Sequence, residues 1–390
     1  MKAFAAVCLS ALLAMTAAPV SSAFAKEKTS PALVENVKSA ILMEKDTGKI
    51  LYKNHDNKEL PPASMTKIMT LLLIFKALDA HDISLKDKVR VSEHAASMGG
   101  SQVFLEPGEE MTVNDLVKSI AIASANDASM AMAEYLAGSE DAFVKKMNAE
   151  AQALGLKHTH FRNPTGLPEK NHYTSAHDMA VMARALLRYP DVLKYTSIYE
   201  DYLREKTDEK FWLVNTNKMI KTYAGVDGLK TGFTQEAKYC LTVTGKRNGM
   251  RVIAVVMGAP TPKERNKQVA RMLDYAFANF KTKKLVDQGR IIANVPINKS
   301  AGGSAPAVTR DPVVLLMKKG DDTGKLRKTI QINKNLNAPM KAGEIVGYYV
   351  VKNKKKTLLE TPLVVTSDIK SASWWQLFKR NIGKLTKGSW

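Results

Sequence analysis

Residues 61–80 read PPASMTKIMTLLLIFKALDA. From Ser64 to Ala80 this stretch predicts a helix whose centre, residues 71–75, is entirely apolar. A helix that is apolar around most of its circumference has to be buried on most sides. The stretch therefore predicts a large folded core, and a chain of 390 residues is long enough to form one large domain or two.

The segments on either side of this helix predict strands and helices in a definite order. Residues 39–53 alternate between apolar and polar side chains and indicate a β-hairpin. Residues 112–186 are mainly helical in pattern, residues 226–258 indicate a strand, a tight turn and a strand, and residues 260–280 return to helical spacing. Strands at both ends with helices between them predict an α+β domain in which helices cover one antiparallel sheet.

The C-terminal part has a different pattern. Residues 283–370 contain short β-rich runs broken by Gly, Pro and Asn, which predicts a small all-β domain that follows a first domain of residues 26–282. On a helix, residues 371–390 place Trp374 and Phe378 on one face and lysines around the other side. Aromatic side chains opposite a cationic face predict an amphipathic helix that anchors the chain to a membrane surface.

The first 25 residues have the layout of a secretory signal peptide. Lys2 gives a positive start, the apolar run ends at Ala18, and Ala23-Phe24-Ala25 is a small-x-small cleavage site. The apolar run is shorter than the roughly 20 residues that a permanent membrane anchor needs. We therefore predict export and removal of residues 1–25. One of the two cysteines, Cys240, remains in the mature chain, and we expect it to be a buried core residue.

The net charge of +20 at pH 7 is distributed unevenly along the chain. Residues 281–390 carry 22 Lys and Arg against 7 Asp and Glu, whereas residues 26–280 are almost balanced. A strongly basic end indicates an acidic partner, such as nucleic acid or anionic lipid. Because the chain carries an export signal, we predict an anionic membrane surface, bound through residues 371–390, and no nucleic acid. The expected location is the outer face of the cytoplasmic membrane, with peripheral anchoring.

Ser64-Met65-Thr66-Lys67 has the form S-x-x-K. At the start of a helix, residues three apart lie on one face, so the hydroxyl of Ser64 and the amine of Lys67 can meet. A serine hydroxyl is a poor nucleophile unless a neighbouring base takes its proton. A lysine can be that base only when it is neutral, which requires burial or a second cation nearby. The motif alone is weak, because four-residue strings of this form occur by chance.

Two further motifs supply what the first one lacks. Ser124-Ala125-Asn126 lies within the helical block, where a hydroxyl and an amide could pass a proton and hold a substrate amide. Lys230-Thr231-Gly232 begins the second strand region, where Lys230 would be the second cation. Thr231 and the strand edge could bind an extended peptide by β-addition. Three weak motifs in this order, on these elements, together predict a serine enzyme that forms an acyl intermediate.

On these motifs the chain resembles the low-molecular-mass penicillin-binding proteins that act as D-alanyl-D-alanine carboxypeptidases. The resemblance extends over nearly the whole mature chain and includes the blocks FLEPG at residues 104–108 and DGLKTG at residues 227–232. The layout is most similar to the branch found in spore-forming bacteria. The family implies a penicillin-recognising, serine transpeptidase-like fold for the first domain. The seven histidines show no metal-ligand spacing, and we predict no metal or cofactor.

The resemblance implies a catalytic role for residues of the first two motifs. Ser64 would attack the carbonyl between two D-alanines of a peptidoglycan stem peptide and hold an acyl-enzyme until water removes it. Lys67 would be the base for that attack. Ser124 would transfer a proton to the leaving amine, and Asn126 would line the cleft. β-Lactam antibiotics would acylate the same serine and inhibit the enzyme.

The resemblance also implies substrate-binding roles around the third motif. Lys230 would add positive potential, Thr231 would bind the terminal carboxylate, and Gly232 would belong to the same binding strand. The backbone N–H groups of Ser64 and Phe233 would form an oxyanion hole, a role that survives although some family members have His where this chain has Phe233. Arg265 lies where the family often has a basic residue near the substrate carboxylate.

Three other functions are compatible with the same motifs. A D,D-endopeptidase of peptidoglycan cross-bridges would use identical residues. A β-lactamase would need a glutamate that activates the deacylating water, and Glu169 is superficially similar to it, but the extra β-rich domain and the basic end favour a membrane-tethered wall enzyme. A catalytically silent wall-binding homologue is expected to lack Ser64 or one of the two lysines, all of which are present.

Overall fold

The structure is a computed structural model that describes residues 32–321, 326–353 and 356–379. The predicted signal peptide, residues 1–25, lies outside these ranges. The strands are β1 (Ser39–Glu44), β2 (Ile50–Asn54), β3 (Lys88–Arg90), β4 (Glu110–Thr112), β5 (Glu200–Leu203), β6 (Phe211–Val214), β7 (Val226–Thr234), β8 (Lys238–Arg247), β9 (Met250–Ala259), β10 (Phe280–Val286), β11 (Ile291–Pro296), β12 (Ser304–Thr309), β13 (Val313–Lys318), β14 (Leu326–Ile332), β15 (Ile345–Asn353) and β16 (Lys356–Val365). The α-helices are α1 (Lys67–Asp79), α2 (Glu93–Ala96), α3 (Val113–Lys118), α4 (Asn126–Ala137), α5 (Glu140–Ala153), α6 (Ala176–Leu186), α7 (Leu193–Thr196), α8 (Met219–Thr222) and α9 (Pro262–Asn279).

A five-stranded sheet in the order β2-β1-β9-β8-β7 forms the centre of the first domain. Every neighbouring pair is antiparallel, which confirms the predicted sheet. The prediction of two strands over residues 226–258 was wrong, because three strands occupy this region. Residues 235–237, which join β7 to β8, contain neither Gly nor Pro, so the sequence lacks the usual turn marker there.

The sheet is buried on both faces. Along β9, Val252, Ala254 and Val256 pack with α9, whereas the alternate residues 253, 255 and 257 pack with the helices on the opposite side. This is the period-2 alternation of a strand between two cores. The α1 helix belongs to the second of these cores, and residues 68–72 are almost fully buried, as its apolar centre predicts.

A second group of strands forms the predicted β-rich domain. Its larger sheet has the order β11-β12-β16-β15-β14, and β10 pairs with β13 beside it. Four of the β-rich runs, residues 313–317, 329–332, 345–351 and 363–365, lie on β13, β14, β15 and β16, respectively. These runs did not include β10, β11 or β12. Of the three, β10 begins directly after α9 and carries three lysines in seven residues. Such a charged, largely exposed strand lacks the apolar alternation on which the prediction depends.

The C-terminal segment is helical over residues 374–379. The backbone N–H of Gln376 donates to Ser373 Oγ, so Ser373 caps this turn. Trp374 is 72% exposed and its ring stacks on those of Trp375 and Phe378. The rest of the predicted amphipathic helix, residues 380–390, lies outside the described residues. Within the described ranges, no helix has both the length and the apolar character to cross a membrane.

Candidate active site

Ser64 and Lys67 meet at the start of α1, as their spacing predicts. A 3₁₀ turn, Ala63–Thr66, carries Ser64, and Lys67 is the first residue of the α-helix that continues from it. The Lys67 Nζ lies 3.1 Å from Ser64 Oγ, 2.6 Å from Asn126 Oδ1 and 2.7 Å from the carbonyl oxygen of Thr165. The last two partners can only accept a hydrogen bond, whereas the serine hydroxyl can donate or accept. This set of partners fits a neutral amine, with two N–H donors and a lone pair towards Ser64.

The surroundings of Lys67 favour that neutral form. The side chain is fully buried. Burial lowers the pKa of Lys67 well below its ordinary range, and the positive charge of Lys230 lowers it further, although the charge of Asp127 acts in the opposite direction. The Asp127 carboxylate is itself occupied by the backbone N–H groups of Val103, Leu105 and Ala128. Among the described residues, no carboxylate makes a hydrogen bond to Lys67.

The second motif enters the site from the turn before α4. Ser124 is buried and has a positive φ of 65°, at the end of a π-helical turn over Ser119–Ala123. Its Oγ has no hydrogen-bond partner among the described residues. Asn126 is fixed at both ends of its amide, because Nδ2 donates to the Gly99 carbonyl at 2.6 Å while Oδ1 accepts from Lys67. The site therefore contains one buried hydroxyl that is free to bond an incoming group.

The third motif lies on β7, which packs against the turn that carries Ser64. A Cβ atom on Gly232 would come within 2.7 Å of the Pro62 carbonyl oxygen, so only glycine allows this approach. Lys230 is buried, and its Nζ donates to the Thr231 carbonyl at 3.2 Å. Burial and, second, the positive charge of Arg265 lower the pKa of Lys230 to about 7. Thr231 Oγ1 donates to Thr216 Oγ1 at 2.7 Å.

Phe233 and Arg265 lie at the margins of this site. Phe233 is 47% exposed, and its ring stacks on Tyr239 at a centroid distance of 4.4 Å. Arg265 is buried at the start of α9, where its guanidinium donates to Asn266 Oδ1 and to the carbonyl of Cys240. The described contacts link Arg265 to the site through its charge on Lys230. Its proposed contact with a substrate carboxylate stays a prediction.

The Thr165 carbonyl belongs to a loop, residues 163–166, that the sequence indicates as a loop but does not connect to the site. Asn163 Oδ1 accepts from the backbone N–H groups of Thr165 and Gly166 and so closes this loop on itself. Gly166 has a φ of 85°, and a Cβ atom there would lie 1.9 Å from the Ala63 carbonyl oxygen. The string Asn-Pro-Thr-Gly signals a turn, but nothing in the residue types shows that a backbone carbonyl of this turn reaches Lys67.

A buried histidine, which the sequence also did not indicate, contacts the turn that carries Ser64. His172 Nε2 lies 2.9 Å from Thr66 Oγ1, and its Nδ1 accepts from the backbone N–H of Arg162. Burial, aided by the charges of His160 and Arg162, lowers the pKa of His172 to about 4. The ring is therefore neutral at physiological pH and donates from Nε2 to Thr66. Among the described residues, no group of three or more His, Cys, Asp or Glu side chains could hold a metal ion.

Two family models match the chain and together cover most of it. One, described as D-alanyl-D-alanine carboxypeptidase, matches residues 25–261. The other, described as penicillin-binding protein 5, C-terminal domain, matches residues 280–371. The two matches agree with the order of the domains in the structure, an α+β domain followed by a β domain.

Individual relatives give the same result. The chain is 53% identical over 389 residues to the D-alanyl-D-alanine carboxypeptidase DacF of Bacillus subtilis (strain 168), covering 99% of this chain and 100% of that protein. It is 33% identical over 347 residues to DacA of Escherichia coli (strain K12), covering 87% and 85% of the two chains. The similarity to the Bacillus protein is consistent with the predicted branch of spore-forming bacteria.

Solved structures share the fold. Penicillin-binding protein 5 from Haemophilus influenzae superposes with a TM-score of 0.68 at 31% identity, covering 86% of this chain and 98% of that one. The carboxypeptidase DacD from Francisella tularensis gives a TM-score of 0.66 at 29% identity, covering 88% and 96%. These similarities confirm the predicted fold class. Together with the family models and the full-length match to DacF, they show that the chain belongs to the D-alanyl-D-alanine carboxypeptidase family.

Proposed function

We propose that this protein is a serine-type D-alanyl-D-alanine carboxypeptidase that removes the terminal D-alanine from peptidoglycan stem peptides. The observation that carries the proposal is the position of the Lys67 Nζ, which lies between Ser64 Oγ and two carbonyl oxygens in a buried, cationic environment. A lysine in such a place is a base for the neighbouring hydroxyl. The family to which the chain belongs indicates the bond that the Ser64 hydroxyl attacks.

The acylation step uses Ser64, Lys67 and Ser124. Neutral Lys67 accepts the proton of Ser64 as Oγ attacks the carbonyl carbon of the penultimate D-alanine. The oxyanion that forms accepts hydrogen bonds from the backbone N–H groups of Ser64 and Phe233. As the C–N bond breaks, the proton passes from Lys67 through the buried Ser124 hydroxyl to the leaving amine. D-Alanine departs, and the rest of the peptide remains as an ester on Ser64.

Deacylation reverses these roles with water as the nucleophile. Lys67, again neutral, accepts a proton from water as the water oxygen attacks the ester carbonyl, and it returns that proton to Ser64 Oγ as the C–O bond breaks. Glu169 takes no part in this scheme, since it is exposed and is not among the described hydrogen-bond partners of Ser64 or Lys67. The arrangement therefore gives no support to a class A type of β-lactamase mechanism.

Substrate binding depends on the third motif. Thr231 and the positive potential of Lys230 bind the terminal carboxylate. Gly232 lets β7 pack closely on the turn that carries Ser64, so an extended peptide along the edge of β7 has its reacting carbonyl beside the nucleophile. On the other wall of the cleft, the side-chain amide of Asn126 forms a hydrogen bond with the substrate amide. Arg265 increases the positive potential from behind Lys230. A β-lactam carries a carboxylate and a strained amide in a similar arrangement and acylates Ser64 in the same way.

D-Alanine release from a synthetic peptide that ends in D-Ala-D-Ala tests the function. We expect release from this peptide and none from a matched peptide that ends in D-Ala-L-Ala. Penicillin should add one covalent equivalent, which mass spectrometry of a digest should locate on the fragment that contains Ser64. The absence of D-alanine release, or an adduct on another fragment, would contradict the proposal.

The pH dependence of acylation tests the role of the two lysines. The base must be neutral, so the acylation rate should fall as the pH drops through the pKa of Lys67. Because the charge of Lys230 lowers that pKa, Lys230→Met should raise the pKa of Lys67 and move the acid limb to higher pH. Stopped-flow acylation with a fluorescent penicillin measures this shift. Lys246→Met, on the neighbouring strand, should leave the limb in place, and an unmoved limb in Lys230→Met would refute the coupling.

We also propose that the protein is exported and held at the outer face of the cytoplasmic membrane. Residues 1–25 are then a cleaved signal peptide, residues 26–282 and 283–370 are the catalytic and β-rich domains, and residues 371–390 form the anchor. The exposed, stacked rings of Trp374, Trp375 and Phe378 support the anchor, because aromatic side chains favour the lipid interface. The basic charge of residues 281–390 favours anionic lipid.

Deleting residues 371–390 should abolish co-sedimentation with vesicles that contain anionic lipid, while D-alanine release from a soluble peptide persists. Intact protein should bind these vesicles in a salt-sensitive manner and bind neutral vesicles weakly. Trp374→Ser combined with Trp375→Ser should weaken binding without changing charge, which separates the apolar contribution from the electrostatic one. Equal binding of the intact and truncated proteins would refute the anchor.

A further inference from the structure

A cavity of about 550 Å³ adjoins the turn that carries the nucleophile. Residues 59–63, which directly precede Ser64, form one wall, and the loop of residues 166–173 forms another. Thr234 and Glu236, at the end of β7 and in the turn after it, line the remaining side. The cavity thus begins where the substrate-binding strand ends.

The direction of the substrate follows from β7. A peptide added antiparallel to this strand has its C-terminus near Thr231 and its reacting carbonyl beside the N–H of Phe233. Residues that precede the two D-alanines then continue past Thr234. One strand residue spans roughly 3.4 Å, so the residue next to the D-alanines reaches the position of Thr234 and Glu236. Its side chain is the first part of the substrate to meet the cavity.

The charge of the cavity wall is opposite to that of the chain. Three glutamates line it, Glu59, Glu169 and Glu236, against one lysine, Lys170, although the whole protein carries +20. Glu59 is held by His158 at 3.1 Å. The Glu169 and Glu236 carboxylates are exposed and make no hydrogen bond or ion pair with another described residue. Two negative groups are therefore unpaired at the edge of the proposed peptide path.

We propose that this cavity is the subsite for the residue immediately before the two D-alanines, and that Glu169 and Glu236 select a cationic side chain there. The inference rests on the proposed function, because the peptide must lie along β7 for its side chain to enter the cavity. An amine at the end of a long, flexible side chain can reach both carboxylates from the strand edge. Pro61, Pro62 and Leu167 provide apolar wall for the methylene groups of such a side chain.

Two peptides that differ in one charge test the proposal. The first is Nα-acetyl-L-Lys-D-Ala-D-Ala with a free Nε amine, and the second is the same peptide acetylated at Nε. For the wild-type protein we expect kcat/KM for D-alanine release to be about fivefold higher with the free amine. The ratio of kcat/KM between the two peptides should decrease in 0.5 M salt, because salt screens exposed charges.

Variants assign the preference to the two carboxylates. Glu169→Gln combined with Glu236→Gln should bring the ratio between the peptides to about one, and Glu169→Lys combined with Glu236→Lys should reverse it. Hydrolysis of the acetylated peptide by each variant reports that its active site is folded. Glu360→Gln, an exposed glutamate on β16, is the matched control and should keep the wild-type ratio.

The outcomes separate this inference from the function on which it rests. A wild-type protein that cleaves both peptides at equal rates would overturn the inference alone, as would a double Gln variant that keeps the wild-type ratio. A wild-type protein that cleaves neither peptide would overturn the proposed carboxypeptidase function and the subsite with it.

Discussion

Replacing Lys67 with methionine is expected to slow acylation of Ser64 by about a thousandfold, which is the usual contribution of a positioned general base. Methionine has a similar length and no charge, so it fills the buried position without a desolvation cost. The variant keeps Ser64 in place but loses the only described group that can take its proton. The Asn126 amide oxygen and the Thr165 carbonyl would each lose a donor, which adds a modest cost in stability.

Stopped-flow acylation by a fluorescent penicillin measures this effect, and two comparisons make it specific. Lys76→Met alters the last turn of the same helix, where Lys76 is paired with Glu150 on the surface, and it should acylate at the wild-type rate. Ser64→Ala should form no adduct at all, because it removes the attacking atom. If Lys67→Met acylated within tenfold of the wild type, another group would have to be the base.

Replacing Gly166 with alanine is expected to lower the free energy of unfolding by about 3 kcal/mol or more. Two costs add at this position. The left-handed backbone, with a φ of 85°, costs an alanine about 1 kcal/mol. The new Cβ would also lie 1.9 Å from the Ala63 carbonyl oxygen, and a clash with backbone cannot be relieved by rotating a side chain. The loop or the nucleophile turn must therefore move.

Gly155→Ala is the matched control for this substitution. Gly155 has a similar φ of 72°, but a Cβ atom there meets nothing within 4 Å. It should cost only the conformational part, about 1 kcal/mol. Thermal unfolding monitored by circular dichroism gives both values. D-Alanine release should fall in Gly166→Ala alone, because displacement of the loop moves the Thr165 carbonyl away from Lys67. Equal destabilisation by the two variants would contradict the close contact with Ala63.

Local spacing in the sequence predicts contacts between neighbouring residues of the site, but not contacts between residues that are far apart in the chain. The contact between Ser64 and Lys67 follows from helical spacing, which is a local rule, and the structure has it. The contact of Lys67 with Asn126 joins residues far apart in the chain, and no spacing rule predicts it. The resemblance to the family, which carries the three motifs as a set, placed Asn126 in the same cleft as Lys67 but did not predict this hydrogen bond.

The features that the sequence did not predict share a physical cause. The Thr165 carbonyl is a backbone group, and every residue carries one, so residue type does not show which carbonyl faces a buried amine. His172 supports Thr66 through a ring that is buried only because distant segments cover it. The connection from β7 to β8 has no Gly or Pro, and it is closed by the backbone N–H of Ala237, which donates to Thr234 Oγ1, together with the pairing of the two strands. Each of these features is set by contacts within the fold that residue type alone does not show.

The position of β1 next to β9 has a consequence for how the protein reaches its active form. The two strands pair directly although about two hundred residues separate them in the chain. The chain is synthesised from its N-terminus, so β1 cannot pair with β9 until β9 has been made. The strand β7, which packs on the turn that carries Ser64, is also made late. The half-made domain therefore cannot form its central sheet, and the core to which α1 belongs lacks the side chains of residues 253, 255 and 257 of β9. We expect the growing chain to depend on chaperones until β9 is complete, and to gain penicillin binding only after that point.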